Sequence, residues 1–419
     1  MPTFATSFAA TTVSTYLPVL ARRFTDSTTV IGVLIVGEGL MALWVPLLVG
    51  SWSDHVRARG GSRLSFVRFG SPFVAGAIAA MGIAGSLPAL GLLVTFFFAV
   101  YFIAYEPYRA LYPDLLPPRL TGRAQGTQAV WRGVGTFLAL GSGGAMLSLW
   151  SELPFMLSAV LLALTVAALL MLLPRLVTVS REREPPSIEG LREALRDVRR
   201  DVTLLLRKHP ELRRYVIANC LWELSLGALK TFVILYVTVG LGFALSQASL
   251  IVGAVALVIL VGAVTSGRLA DRIGIAKTME AGLWVYGAVL IVPVLTTNHY
   301  ALIGVVPVIA FGGGMTMALS YAVLIPLMPR EHHGLLTGFY SMSRGLGVML
   351  GPLLGGVAIS VLKGAFPATH GYAAVWIVTS ASLLASIPVL RSMRSLREGP
   401  ARQPTAAPED EKLTCPGES

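Results

Sequence analysis

Apolar runs of about twenty residues recur along the whole chain, and each is long enough to cross a lipid bilayer. A spanning helix needs roughly 20 apolar residues. Twelve such runs lie near residues 2–20, 29–50, 64–86, 89–112, 125–149, 153–174, 213–239, 248–268, 277–296, 300–326, 335–361 and 371–390. In hydrocarbon every backbone polar group must be satisfied within the protein, so runs of this length are expected to be helices. Composition agrees: 54% of residues are apolar and only 13% charged, where a soluble domain carries about 25% charged residues.

A net charge of +11 raises the question of nucleic acid, and the placement of the charge answers it. Arg57, Arg59 and Arg63 fall between spans 2 and 3, Arg119 and Arg123 after span 4, and Arg268, Arg272 and Lys277 after span 8. The stretch 175–214 is rich in arginine, and Arg391, Arg394 and Arg397 open the tail. The loops on the other side hold only Arg22, Arg23 and Lys363. This asymmetry follows the positive-inside rule and predicts cytoplasmic termini, a cytoplasmic central loop and a multi-pass protein of the cytoplasmic membrane. Nucleic-acid binding would instead gather basic residues on one soluble module. The two cysteines, Cys220 and Cys415, offer neither a disulfide framework nor a metal-ligand spacing, and no cofactor is implied. The first span follows Met1 without a basic leader and reads as retained, not as a cleaved signal.

Residues 180–212 interrupt the hydrophobic pattern. Leu191, Leu195, Val198, Val202 and Leu205 recur near helical spacing against an arginine- and glutamate-rich face, which predicts an amphipathic helix along the membrane surface. The expected organisation is therefore a six-helix bundle over 1–174, a linker over 175–212, a second bundle over 213–392, and a disordered tail over 393–419. Internal similarity supports two halves. Pro117, Gly122, Gly126, Arg132, Gly133 and Gly135 recur as Pro329, Gly334, Gly338, Arg344, Gly345 and Gly347, a constant offset of 212. Gly50 and Asp54 after span 2 are matched by Gly267 and Asp271 after span 8.

A glycine, three residues, an aspartate and a basic turn, present in both halves, resemble the loop motif of the major facilitator superfamily. The resemblance covers nearly the whole chain. It implies an all-α membrane protein with twelve transmembrane helices in two pseudo-symmetric six-helix bundles, moving a solute by alternating access. The long basic turn from Arg57 to Arg63, the stretch from Tyr105 to Pro117 and the acidic Glu38 resemble the sucrose–proton symporter and glycoside–pentoside–hexuronide branches. That narrower likeness implies proton-coupled symport of a sugar or glycoside; the expected partners are a small molecule, protons and lipid, and the expected state is a monomer. Span 5 reads Gly141-Ser-Gly143-Gly144 without the proline usual in drug–proton antiporters, whereas Gly351-Pro352 occurs on span 11.

An ionised side chain at bilayer depth costs about 2.5–3.5 kcal/mol, so each must pair or face water. Glu38, twelve residues before Gly50 and flanked by Gly37 and Gly39, is a candidate for proton coupling, because burial raises the proton affinity of a carboxyl. Its alternative is a hydrogen-bonded structural residue. Asn219, Glu223 and Lys230 share one face of span 7. Glu223 is a second coupling candidate, and Lys230 and Asn219 are candidates to line the cavity, or else they stitch span 7 to a neighbour. Trp222 could stack on a sugar ring or simply pack. Glu106 and Arg132 fall at similar depths, which predicts a bridge between them, and Gln128 shares the Arg132 stripe. Arg109 is expected to snorkel to the interface. Arg344 lacks an acid on span 10 and is left either to pair with Glu223 or to attract an anion. Phe98, Tyr101, Tyr105, Tyr108 and Tyr112 form an aromatic stripe on span 4 that suits a sugar or a packing ridge equally. Gly50, Asp54, Arg57, Arg59, Arg63, Gly267, Asp271 and Arg272 are expected to form a cytoplasmic gate that clasps the halves together in the outward-facing state. The competing reading of the whole chain is a proton-driven exporter of amphipathic molecules, which would need a mainly apolar cavity. A sensor or an enzyme has little support, because there is no sizeable soluble module and His332 and His333 have no nucleophile or metal partner.

Overall fold

The computed structural model describes residues 2–59, 61–115, 118–176, 188–327 and 336–393, with helix positions 112–126, 174–176, 336–338 and part of 188–205 described as backbone only. The expectations for the tail, for 177–187 and for His332 and His333 lie outside the described residues. The chain forms α1 (Pro2–Ala21), α2 (Thr28–Ala58), α3 (Leu64–Gly82), α4 (Leu87–Leu115), α5 (Pro118–Leu149) and α6 (Leu153–Leu176). After them come α7 (Ile188–Lys208), α8 (Pro210–Leu235), α9 (Leu245–Ile273), α10 (Ile275–Val289), the short α11 (Val292–Leu295), α12 (His299–Leu324), α13 (Leu336–Val361) and α14 (Ala374–Arg391). No strand occurs among the described residues. A π-helical turn, Tyr236–Gly240, lengthens α8. The ninth span, expected to be continuous, breaks into α10 and α11 ahead of Pro293.

Among the described residues ten helices are long and apolar enough to cross a membrane. The polar composition of α1 has a physical reason. Its Thr3, Thr6, Ser7, Thr11, Thr12, Ser14 and Thr15 are all buried against protein, so this helix presents little surface to lipid. Several of the hydroxyls bond back along the helix, as Ser14 Oγ does to the Ala10 carbonyl at 2.8 Å, which satisfies them without water. The α9 helix shows the opposite side of the same rule. Leu250, Leu257, Val261 and Val264 form one exposed apolar face, while Ser249, Gly253, Gly262 and Ser266 turn inward. Between helices in lipid, small residues permit close packing, and the large apolar ones face the acyl chains.

The first six helices pack α3 on α4 and α6, α2 on α4, and α1 on α5 and α6. The later set packs α10 on α12 and α14, α9 on α12, and α8 on α13 and α14. One pattern becomes the other when α1 to α6 are replaced by α8, α9, α10, α12, α13 and α14. Glycines carry the correspondence down to single atoms. A Cβ on Gly135 would abut the Phe4 carbonyl, Ser7 Cβ and Phe8 N; on Gly347 it would abut the Cys220 carbonyl, Glu223 Cβ and Leu224 N. Gly143 in turn faces Tyr16, and its counterpart Gly355 faces Phe232. So α1 and α8 correspond at an offset of 216, and Ser7 stands where the second half has Glu223.

The two sets meet along two seams, α2 on α13 and α5 on α9, with α1 against α8 between them. Thr28 Oγ1 donates to the Gly356 carbonyl at 2.9 Å, and Gly345 abuts the Leu43 backbone. At the other seam Gly253 meets Gly141, and the Tyr16 hydroxyl donates to the Leu140 carbonyl at 2.6 Å while lying 2.7 Å from Ser249 Oγ. These contacts run from mid-helix to the end remote from α7, where Arg22 also donates to the Tyr372 hydroxyl at 3.3 Å. At the opposite end α7 packs on α2, and Arg59 reaches Glu193 at 3.1 Å.

Candidate functional site

Among the described residues three carboxylates lie deep within the bundle, and each faces a cation. Glu38 sits ten residues into α2, about 15 Å along the helix axis, with its side chain 10% exposed. Lys230 Nζ of α8 approaches its Oε1 at 3.4 Å. Because α2 and α8 belong to different sets of six, this ion pair joins them. Gly39 lets the backbone of Met349 come against α2 beside the carboxylate. Two turns along α8, about 10 Å nearer the linker end, Arg344 Nε of α13 lies 3.4 Å from Glu223 Oε2, and the Tyr340 hydroxyl donates to Oε1 at 3.3 Å. The third pair lies on α4, with Arg109 Nη1 3.7 Å from Glu106 Oε2. Arg109 also sits 5.8 Å over the Tyr105 ring, a cation–π distance, and Tyr105 stacks on Tyr101 at 5.0 Å.

These groups share one neighbourhood. Arg344 lies within Coulombic reach of Glu38 and Tyr101 as well as Glu223, Tyr101 within reach of Glu106, Arg132 and Arg344, and Glu223 within reach of Lys230. Side chains from α2, α4, α5, α8 and α13 therefore converge. The side chains of Arg109, Lys230 and Arg344 are 37%, 40% and 48% exposed, although each pairs with an acid inside the bundle. Cations half-exposed at that depth stand in water, not lipid, because a charged head facing hydrocarbon would be left without solvation. The arrangement is a polar cleft between the two sets of helices, closed at the end remote from α7. A separate small cavity of about 20 Å³ lies among α1, α3, α4 and α6, with Tyr101, Tyr105 and Tyr108 along one wall. It has room for about one water molecule.

Several sequence expectations meet a different geometry. Glu106 pairs with Arg109, one turn away, and not with Arg132. Arg109 therefore holds a carboxylate as well as reaching outward. Asn219 is fully buried and its Nδ2 donates to Ser343 Oγ at 2.8 Å, so it ties α8 to α13. Trp222 is likewise fully buried, donates to Ser386 Oγ at 2.8 Å, and packs edge-on against Tyr215; its indole is turned to α14, away from the cleft. Gln128 is 3% exposed and neither amide atom has a hydrogen-bond partner among the described residues, while Arg132, one turn on, is exposed. Of the gate residues, Arg63 pairs with Asp54 and donates to the Ala110 carbonyl at 3.1 Å. That pin holds α2, α3 and α4 together within the first set, at the end where the two sets stand apart, the conformation opposite to the outward-facing one in which the gate is expected to clasp them. Arg59 is engaged with the linker helix, Arg57 is exposed, Gly50 and Gly267 border open space, and Asp271 and Arg272 are exposed with no ion pair among the described residues. Sequence reasoning overlooked Tyr340. Its position one turn before Arg344, at i and i+4 on the same face, was the available signal.

The sequence profile of the Major Facilitator Superfamily matches residues 3–279 and again residues 215–416, together nearly the whole chain. The chain belongs to that superfamily. Solved structures agree on the fold. A bacterial homologue of the human lysosomal transporter Spinster, inward-facing and occupied, superposes with a TM-score of 0.75 at 15% identity, over 94% of this chain and 95% of that one. The nucleoside transporter NupG gives 0.71 at 14% identity, over 94% and 97%. The peptide transporter POT, in complex with sulfate, gives 0.69 at 15% identity, over 94% of each. No curated protein matches the chain by sequence. The protein is thus a membrane transporter of this superfamily.

Proposed function

We propose that the protein is a proton-coupled symporter of a polar solute, a sugar or glycoside, working by alternating access between halves 1–174 and 213–392. The observation that carries this reading is the Glu38–Lys230 ion pair, which crosses from one half to the other beside the cleft. A carboxylate that holds a cation on the opposite half gives a proton something to change. Protonation of Glu38 removes the attraction to Lys230 and lets the halves separate there, and deprotonation restores it. With the linker on the cytoplasmic side, as the basic loops imply, the closed seams face outward and the cleft opens to the cytoplasm. Seven ionisable groups and the Tyr105 and Tyr340 hydroxyls suit a solute rich in hydrogen-bonding groups. An exporter of amphipathic molecules would want an apolar wall, and this lining weighs against it.

Reconstitution into proteoliposomes tests the proposal. An inward proton gradient is expected to drive accumulation of at least one member of a sugar and glycoside panel, with collapse on adding a protonophore. Absence of gradient-driven uptake across the panel would refute it.

A further inference from the structure

We infer that the solute carries one negative charge, a carboxylate, and that Arg132 is the residue that binds it; this deepens the reading just given and rests on it. The inference comes from comparing the two halves. Arg132 and Arg344 occupy the same place in the repeat. In the second half Glu223 approaches Gly347 and neutralises Arg344. In the first half the residue that approaches Gly135 in the same way is Ser7, which brings no charge. Each cleft carboxylate is already engaged, Glu38 by Lys230, Glu106 by Arg109 and Glu223 by Arg344. Arg132 has no carboxylate within ion-pair distance among the described residues, so three acids face four bases.

A fixed positive excess between low-dielectric walls focuses its field into the cleft and concentrates anions there. A guanidinium is also the donor that matches a carboxylate with two parallel hydrogen bonds.

The purified full chain in detergent can be titrated calorimetrically with glucuronate, galacturonate and lactate, each beside its neutral amide. At least one acid is expected to bind about tenfold or more tightly than its amide. Arg132→Gln is expected to abolish that preference, with Arg132→Lys intermediate because it keeps the charge and loses the fork. Ser7→Glu provides a second route that leaves Arg132 in place. It recreates in the first half the pair already present in the second and is expected to remove the preference, with Ser7→Gln doing so to a smaller extent. Equal binding of acid and amide, binding of neither, or an unchanged preference in both Arg132→Gln and Ser7→Glu would overturn the inference. A preference for neutral sugars in this assay would leave proton-driven uptake standing, and failed uptake with a clear acid preference would remove the transport reading alone.

Discussion

The ion pairs of the cleft differ from surface salt bridges because each acid is close to fully buried while its cation touches water. Removing Lys230 would leave the Glu38 carboxylate buried without a partner, the costlier kind of loss. Lys230→Gln is therefore expected to lower the melting temperature more than the double variant with Glu38→Gln does. The coupling is on the order of 1 kcal/mol, a modest figure because the lysine is 40% exposed and water screens the pair. Additive melting shifts would show that the two side chains do not interact. Glu38→Gln alone is expected to abolish proton-driven accumulation while leaving counterflow exchange, since exchange needs no net proton movement; normal accumulation would remove Glu38 from the mechanism. At this scale the sequence was legible in part. Depth and the cost of burying charge picked out Glu38, Glu223 and Arg344 as residues of interest. They left Asn219 and Trp222 open between lining the cavity and packing, because helical spacing gives an angle around α8 but not which neighbour covers it; α13 and α14 cover those two.

Between elements, the α2–α13 seam depends on helices that touch backbone to backbone. Gly345 meets the Leu43 backbone with no room for a side chain, while Gly304 of α12 has open space around it. Gly345→Val is expected to push α13 away from α2 at a cost of about 1–3 kcal/mol, lowering the melting temperature by several degrees and reducing exchange. Gly304→Val is expected to change neither. Equal responses of the two variants would mean that the close approach contributes nothing. The offset of 212 between α5 and α13 was visible in the sequence because glycines and an arginine mark both copies. The offset of 216 between α1 and α8 was not, because backbone carbonyls and Cβ positions carry that correspondence and side-chain identities do not. The extent of α1 was read from its apolar run, but its burial came from packing, since its threonines and serines face protein on every side.

For the whole molecule, hydrophobic run length and charge asymmetry sufficed for the fold class, because a bilayer leaves a chain of this composition few alternatives. Where the cleft lies and which end is closed depend on contacts between distant helices, which no local pattern encodes. The central physical claim is that the scarce ionised side chains share one water-filled cleft that opens at the linker end and is sealed at the other. Cysteine accessibility in membranes measures this directly. In a background with Cys220 and Cys415 replaced, single variants Tyr105→Cys, Tyr340→Cys and Lys230→Cys are treated with a membrane-impermeant thiol reagent from each side, beside the outward-facing positions Leu92→Cys and Leu260→Cys. The three cleft positions are expected to react from the linker side and to be protected from the far side, with the two outward positions unreactive from either. Cleft positions that react no faster than the lipid-facing controls, or that react from the far side alone, would contradict the shared cleft.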